Sequence, residues 1–187
     1  MNRPEFTTNP HSTTNLIIVM GVAGSGKSTL AKAIADHYGY EFLDGDDFHS
    51  ASARALMAAG VPLTDADRAP WANAITQRLK DNAITTTHTV LAFSGLKQKH
   101  REQLRSAGLR TVVIHLVGDK STIQDRINKR KGHFMAPALL ESQFNSMETP
   151  IQELDVYPIE VGTSLENVIQ QAQEILRKTL LIEDSAP

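Results

Sequence analysis

The chain of 187 residues is long enough for one domain with a full hydrophobic core and too short for two of ordinary size. Its 19 basic and 21 acidic residues give a net charge of -2, so no global field favours nucleic acid or an anionic membrane as a partner. Cysteine is absent, which excludes disulfides, thiolate metal sites and cysteine nucleophiles and suits a cytoplasmic location.

Apolar runs of strand length alternate with helical patterns along the chain. Strands are predicted at 16–20, 41–43, 88–93, 111–117 and 156–161. Helices are predicted at 27–38, 51–59, 68–82, 97–107, 120–131, 137–147 and 164–180. Because the strand runs do not alternate with polar residues, they are typical of strands buried on both faces. The pattern predicts an α/β fold, a doubly wound parallel sheet flanked by helices, which binds ligands beyond the carboxyl ends of its strands.

The ends of the chain differ from its middle. Residues 1–15 hold two prolines and no apolar segment, so they resemble neither a signal peptide nor a membrane anchor. We expect a disordered tail at 1–15, a single domain over 16–180 and a short C-terminal tail at 181–187.

The first strand is followed directly by the string GVAGSGKS, which fits the phosphate-loop pattern G-x-x-x-x-G-K-[ST] in its required strand-to-helix context. The glycines let backbone N–H groups point at phosphate oxygens, while the lysine reaches the outer phosphates and the serine hydroxyl holds Mg²⁺. The pattern therefore predicts ATP and Mg²⁺ as cofactors. The expected nucleotide-binding residues are Gly21, Val22, Ala23, Gly24, Ser25, Gly26, Lys27, Ser28 and Thr29.

A phosphate loop alone does not define the reaction, since switches, motors and metabolic kinases share it. The base-reading N-K-x-D string of guanine-nucleotide switches is not present. The second strand ends in LDGDDFH, which places several carboxylates beside the expected polyphosphate. One carboxylate is expected near the metal and another is expected to accept a proton from an attacking hydroxyl. An Asp-rich turn that merely caps the next helix is the alternative.

Several longer strings resemble the gluconate kinase family of P-loop small-molecule kinases, whose fold is like that of shikimate and nucleoside monophosphate kinases. The strings are MGVAGSGKS, FLDGDDFH, GVPLTDADRAPW, SGLKQKHREQLR and KGHFMAPALLESQF, in this order. The resemblance implies phosphorylation of D-gluconate by ATP, a homodimer, and a mobile lid around 126–140. Phe93, Gly95 and His100 depart from the usual family pattern.

The resemblance also assigns roles to individual residues. Asp46 is expected to be the base, and Ser28 and Asp44 are expected near the metal, while Lys27, Arg126 and Arg130 would stabilise the phosphoryl charge. The residues expected to bind the sugar acid are Asp46, His49, Arg68, Ser94, Lys97, Arg101 and His133.

Three of these expectations have plainer alternatives. Lys97, Arg101 and Arg105 follow at helical spacing and form one cationic face, which either binds the carboxylate or is an ordinary solvated face. Arg126 and Arg130 either serve the lid or complement a helix C-terminus. Trp71 continues a stripe of buried residues and is expected to pack in the core. At the level of function, the alternatives are a kinase of another small acceptor, such as shikimate, and a nucleotide-binding switch without catalysis.

Overall fold

The sheet has five parallel strands in the order β2-β3-β1-β4-β5. A computed structural model describes residues 12–129 and 137–181. The strands are β1 (Asn15–Met20), β2 (Glu41–Asp44), β3 (Thr89–Phe93), β4 (Arg110–Val117) and β5 (Val156–Glu160). The predicted doubly wound α/β fold is confirmed.

Helices cover both faces of this sheet. They are α1 (Lys27–Tyr38), α2 (Ala51–Ala58), α3 (Asp65–Ile84), α4 (Gln98–Arg105), α5 (Lys120–Lys129), α6 (Pro137–Ser146) and α7 (Leu165–Leu180). Successive side chains of a strand point to opposite faces, so β1 supplies both cores: Ile17 packs with α1 and α7, and Ile18 packs with α3 and α4. Among the described helices, none is long and apolar enough to span a membrane.

Most boundaries shift by one or two residues from the sequence prediction, and two of the differences have a clear structural basis. The helix expected from residue 68 begins at Asp65, because Thr64 and Asp67 form a reciprocal capping box that fixes its first turn. Asn15, which was expected in the tail, is buried and begins β1. Residues 1–11 and 182–187, the greater part of both expected tails, lie outside the described residues.

Candidate active site

The loop between β1 and α1 has the shape that phosphate binding requires. Gly24 has a φ of +81°, and a Cβ atom there would lie 2.5 Å from Cγ1 of Ile127. Gly26 is the N-cap of α1 with a φ of +103° and provides no side-chain cap. The first N–H groups of α1 are therefore left for a ligand, since a helix leaves its first donors without intrahelical acceptors. The positive end of the helix dipole lies at the same place, so the loop suits an anion.

The lysine of this loop lies between its backbone and two carboxylates. Lys27 Nζ donates to the carbonyl oxygen of Val22 at 3.0 Å. Burial lowers the pKa of Lys27, while the negative charges of Asp46 and Asp44 oppose that shift. The ammonium group thus lies between the phosphate loop and the turn that carries the two carboxylates.

Two oxygen donors meet beside the loop. Ser28 Oγ donates to Asp44 Oδ2 at 2.7 Å, and Asp44 Oδ1 accepts from the backbone N–H of Asp46 at 3.1 Å. A hydroxyl and a carboxylate are ligands that suit Mg²⁺, which is usually held by one or two protein oxygens together with phosphates and water. The pair therefore fits the metal expected from the sequence. The capping of α2, the alternative role of this turn, is done by Ser50, whereas Asp44 caps the short 3₁₀ helix Gly45–Phe48.

A cavity adjoins this corner of the sheet. Of the residues predicted to bind the acceptor, four line it, namely Asp46, His49, Arg68 and Ser94. The remaining walls come from α2, α3 and α6 and from the segments between α2 and α3 and between β3 and α4. Their residues are Met57, Val61, Pro62, Leu63, Trp71, Leu96, Leu139, Ser142 and Gln143. Polar groups thus converge on one side of a largely apolar cleft, as in small-molecule sites.

Asp46 and His49 form the polar side of this cavity nearest the loop. The Asp46 side chain is 83% exposed, and its Oδ1 lies 4.0 Å from Nε2 of His49. His49 is buried, and its Nδ1 has no hydrogen-bond partner within the described ranges. Burial lowers the pKa of His49, with Asp46 opposing and nearby arginines reinforcing the shift. A neutral imidazole beside a solvent-accessible carboxylate results.

Trp71 forms the base of the cavity. Its indole stacks on His49 and on Phe93, with ring centroids 4.6 and 4.8 Å apart, and its Nε1–H donates to the carbonyl oxygen of Gly45 at 2.6 Å. His100 meets the indole edge-on. The prediction that Trp71 packs in the core is confirmed, and two of the three departures from the family pattern, Phe93 and His100, turn out to be its packing partners.

The expected carboxylate site on α4 is not formed. Arg101 is fully buried, and its guanidinium donates to Glu153, to the carbonyl oxygen of Gly95 at 2.5 Å and to that of Glu148 at 3.0 Å. Arg105 pairs with Glu153 and Asp155. Arg101 is therefore bound inside the protein and does not line the cavity in which its role was expected.

Lys97 does not line the cavity either. It is the N-cap of α4, and its Nζ pairs with Glu148 at 3.0 Å. Of the basic residues in the described ranges that were expected to bind the acid, Arg68 lines the cavity. Its Nη1 atom lies 3.9 Å from Oδ1 of Asp65, and its side chain is 18% exposed.

The lid residues are only partly described. Arg126 on α5 donates to Ser25 O of the phosphate loop at 3.4 Å and to the carbonyl oxygens of Val161 and Thr163. It therefore lies beside the phosphate loop. Arg130 and His133 lie outside the described residues.

Gln143 is one of the cavity residues that the sequence reasoning missed. Gln143 lines the cavity, and its Oε1 accepts from the N–H of Ala23 at 2.7 Å. The available signal was a polar side chain between Leu140 and Phe144, whose apolar side chains pack against the core.

Comparisons with known proteins agree with this geometry. A family described as an AAA domain matches residues 16–154. The crystal structure of a gluconokinase from Sinorhizobium meliloti 1021 superposes with a TM-score of 0.81 at 35% identity, covering 89% of this chain and 94% of that one. The parallel sheet, the phosphate loop and the adjoining cavity define a P-loop kinase.

Curated relatives are more specific. A probable gluconokinase of Mus musculus is 37% identical over 179 residues, which cover 87% of this chain and 97% of that protein. The thermoresistant gluconokinase of Escherichia coli (strain K12) is 36% identical over 172 residues, with coverage of 89% and 98%. The chain belongs to the gluconokinase family.

Proposed function

We propose that the protein transfers the γ-phosphoryl group of ATP to the 6-hydroxyl of D-gluconate, giving 6-phospho-D-gluconate and ADP. The observation that carries this proposal is the turn from Asp44 to His49. Its first carboxylate is hydrogen-bonded to Ser28 of the phosphate loop, and its later residues line the acceptor cavity. One short segment thus joins the nucleotide end of the site to the acceptor end, as in-line transfer requires.

Asp46 is the base in this proposal. It accepts the proton of the 6-hydroxyl while the bond from that oxygen to phosphorus forms and the bond from phosphorus to the leaving oxygen of ADP breaks. Its side chain is 83% exposed and lines the cavity, so an acceptor hydroxyl can reach it. Lys27 stabilises the charge that develops on the phosphoryl oxygens, and Arg126 and Arg130 are proposed to assist it.

Ser28 and Asp44 would hold Mg²⁺. The metal supplies charge neutralisation between the outer phosphates when it is bound. Their oxygen atoms lie 2.7 Å apart, so Asp44 orients the serine hydroxyl in advance.

The acceptor is bound by polar groups that line the cavity. His49 and Ser94 are proposed to bond to sugar hydroxyls. Arg68 holds the carboxylate of gluconate, replacing Lys97 and Arg101 in that role. His133 remains proposed as a lid contact.

The test is ADP release by the purified protein over a panel of acceptors: gluconate, other sugar acids, glucose, shikimate and nucleoside monophosphates. Stimulation by gluconate well above the rest supports the proposal. Stimulation by another acceptor would identify a different kinase, and no stimulation would favour a nucleotide-binding switch. Lys27→Ala, expected to lower kcat by about 10²-fold or more, shows that the activity belongs to this protein.

Assembly and location belong to the same proposal. We infer a cytoplasmic homodimer: the cysteine-free composition fits a reducing compartment. Ile151 and Leu154, which are 86% and 90% exposed, offer apolar surface for self-association. Light scattering coupled to gel filtration measures the oligomeric state. A monomeric mass at micromolar concentration would contradict the inferred homodimer.

A further inference from the structure

Helix α6 positions Gln143 between the phosphate loop and the acceptor cavity. Leu140 is fully buried, and Phe144 packs against the same core. After the helix, the N–H of Glu148 donates to the carbonyl oxygen of Leu96 at 2.8 Å. Because these contacts anchor the helix, the position of Gln143 between Leu140 and Phe144 is set by the folded core.

The orientation of the Gln143 amide follows from its partner. The backbone N–H of Ala23 can only donate, so the atom facing it at 2.7 Å must be the amide oxygen. Gln143 also lines the cavity, and its Nε2 donates no hydrogen bond within residues 12–129 and 137–181. Its two donor hydrogens therefore remain available to a ligand in a cavity that adjoins the phosphate loop.

An uncharged donor suits this position. Gln143 contacts the phosphate loop and lines the same cavity as Asp46, so a carboxylate at this position would repel both the nucleotide phosphates and Asp46. A cation would compete with Lys27 and Arg68 for the same anions. An amide bonds to a neutral hydroxyl without disturbing either charge.

We propose that Gln143 binds and positions the acceptor: its Oε1 holds the N–H of Ala23 while its Nε2 donates to a hydroxyl at C4 or C5, close to the reacting 6-hydroxyl. This inference rests on the proposed gluconokinase activity. One side chain then bridges the phosphate loop and the acceptor, so the separation between the phosphoryl donor and the attacking oxygen is fixed by a rigid helix.

The test is a double-mutant-style cycle that removes the Gln143 amide, one hydroxyl of the acceptor, or both. Parent protein and Gln143→Met are assayed with gluconate, 4-deoxygluconate and 5-deoxygluconate. For the parent, kcat/KM is expected to fall about 3- to 10-fold with one of the two analogues, because a donor loses its acceptor. In Gln143→Met the ratio of kcat/KM for gluconate to kcat/KM for that analogue should shrink to within about 2-fold. A role in packing alone would lower both values and leave the ratio unchanged.

Two further variants keep the outcome clear. Gln143→Glu retains an acceptor for the N–H of Ala23 but cannot donate, so it should lose the same preference even if Gln143→Met folds poorly. Glu141→Gln is the matched control: it lies on the exposed side of α6, where Glu141 pairs with Lys120, and should keep the parent preference.

The outcomes separate the two proposals. Unchanged preference for gluconate over both analogues in the Gln143 variants would overturn the role of Gln143 while leaving the gluconokinase activity intact. A parent protein that does not phosphorylate gluconate would overturn the activity itself, and this inference with it.

Discussion

Two arginines that both looked like ligands for a sugar acid have opposite surroundings. Arg101 on α4 is completely buried and donates to Glu153 and to two backbone carbonyls. Arg68 on α3 lines the cavity, and its ion-pair partner Asp65 is 3.9 Å away. Burial of a charge is costly unless its hydrogen bonds are satisfied. Other residues of the protein therefore supply the hydrogen-bond acceptors for the Arg101 guanidinium. Arg68 keeps capacity for a ligand.

The comparison divides the charged residues into two groups. The inner cluster, formed by Arg101, Arg105, Glu153 and Asp155, ties α4 to the segment before β5. The cavity group, formed by Asp46, His49 and Arg68, faces the acceptor. The inner cluster should therefore control stability, and the cavity group should control catalysis.

The largest effect is expected from Asp46→Asn. The amide keeps the shape of the side chain but cannot accept the proton, so kcat should fall by roughly 10²- to 10⁴-fold. The melting temperature should stay the same, because the side chain is 83% exposed. Steady-state kinetics and calorimetry measure the two quantities. Asp47→Asn, at the exposed neighbouring position, is the control, and an equal loss there would show that the charge of the turn matters rather than one base.

Breaking the inner cluster should have the next largest effect. Arg101→Met leaves the carboxylate of Glu153 buried with one cation fewer, which should lower the free energy of unfolding by about 3–5 kcal/mol. Urea denaturation measures this loss. For the fraction that folds, KM for gluconate should change by less than about 3-fold. A large rise in KM with normal stability would return Arg101 to the acceptor site.

Arg68→Met should do the reverse. Loss of a charge-assisted contact worth about 1.5–3 kcal/mol raises KM for gluconate roughly 10- to 150-fold, while KM for ATP and the unfolding free energy barely move. Lys97→Met is the matched comparison, because Lys97 pairs with Glu148 outside the cavity. If Lys97→Met raised the KM and Arg68→Met did not, the assignment of the carboxylate to Arg68 would be wrong.

The smallest effect concerns pH. Burial, reinforced by Arg101, lowers the pKa of His115 from 6.5 to about 4. Because the unfolded chain binds this proton more tightly, stability is complete above pH 6.5 and declines as the pH falls toward 4. Between pH 6.5 and 5, this histidine alone should remove about 1–2 kcal/mol of unfolding free energy. Denaturation of His115→Gln over that range should show a correspondingly flatter pH dependence, and an unchanged profile would contradict the assignment.

Much of the nucleotide end of the site was predictable, because its residues lie in short, recognisable stretches of sequence. The phosphate loop, Ser28 and Asp44 belong to short strings, and strand and helix types follow from hydrophobic periodicity. Helix bounds were accurate to within a few residues, and the larger shift, at the start of α3, came from a capping box whose spacing was visible at Thr64 and Asp67.

The acceptor end was less predictable, because its partners are distant in sequence. Spacing correctly placed Arg101 and Arg105 on one face of a helix, but it could not show that this face would meet Glu153 and Asp155 about 50 positions later. Gln143 has the same difficulty, since its partner Ala23 lies 120 positions earlier. Local patterns give the face of an element, and the tertiary fold decides what that face contacts.

Trp71 is the single tryptophan of the chain, and it forms the base of the acceptor cavity against His49. Its indole emission therefore reports on one place in the molecule, without any label. An acceptor that binds beside His49, as proposed, should change the electric field and the solvent access at the ring stacked upon it. Acceptor binding should then alter the emission of Trp71, which can be followed in rapid mixing before any phosphoryl group has moved.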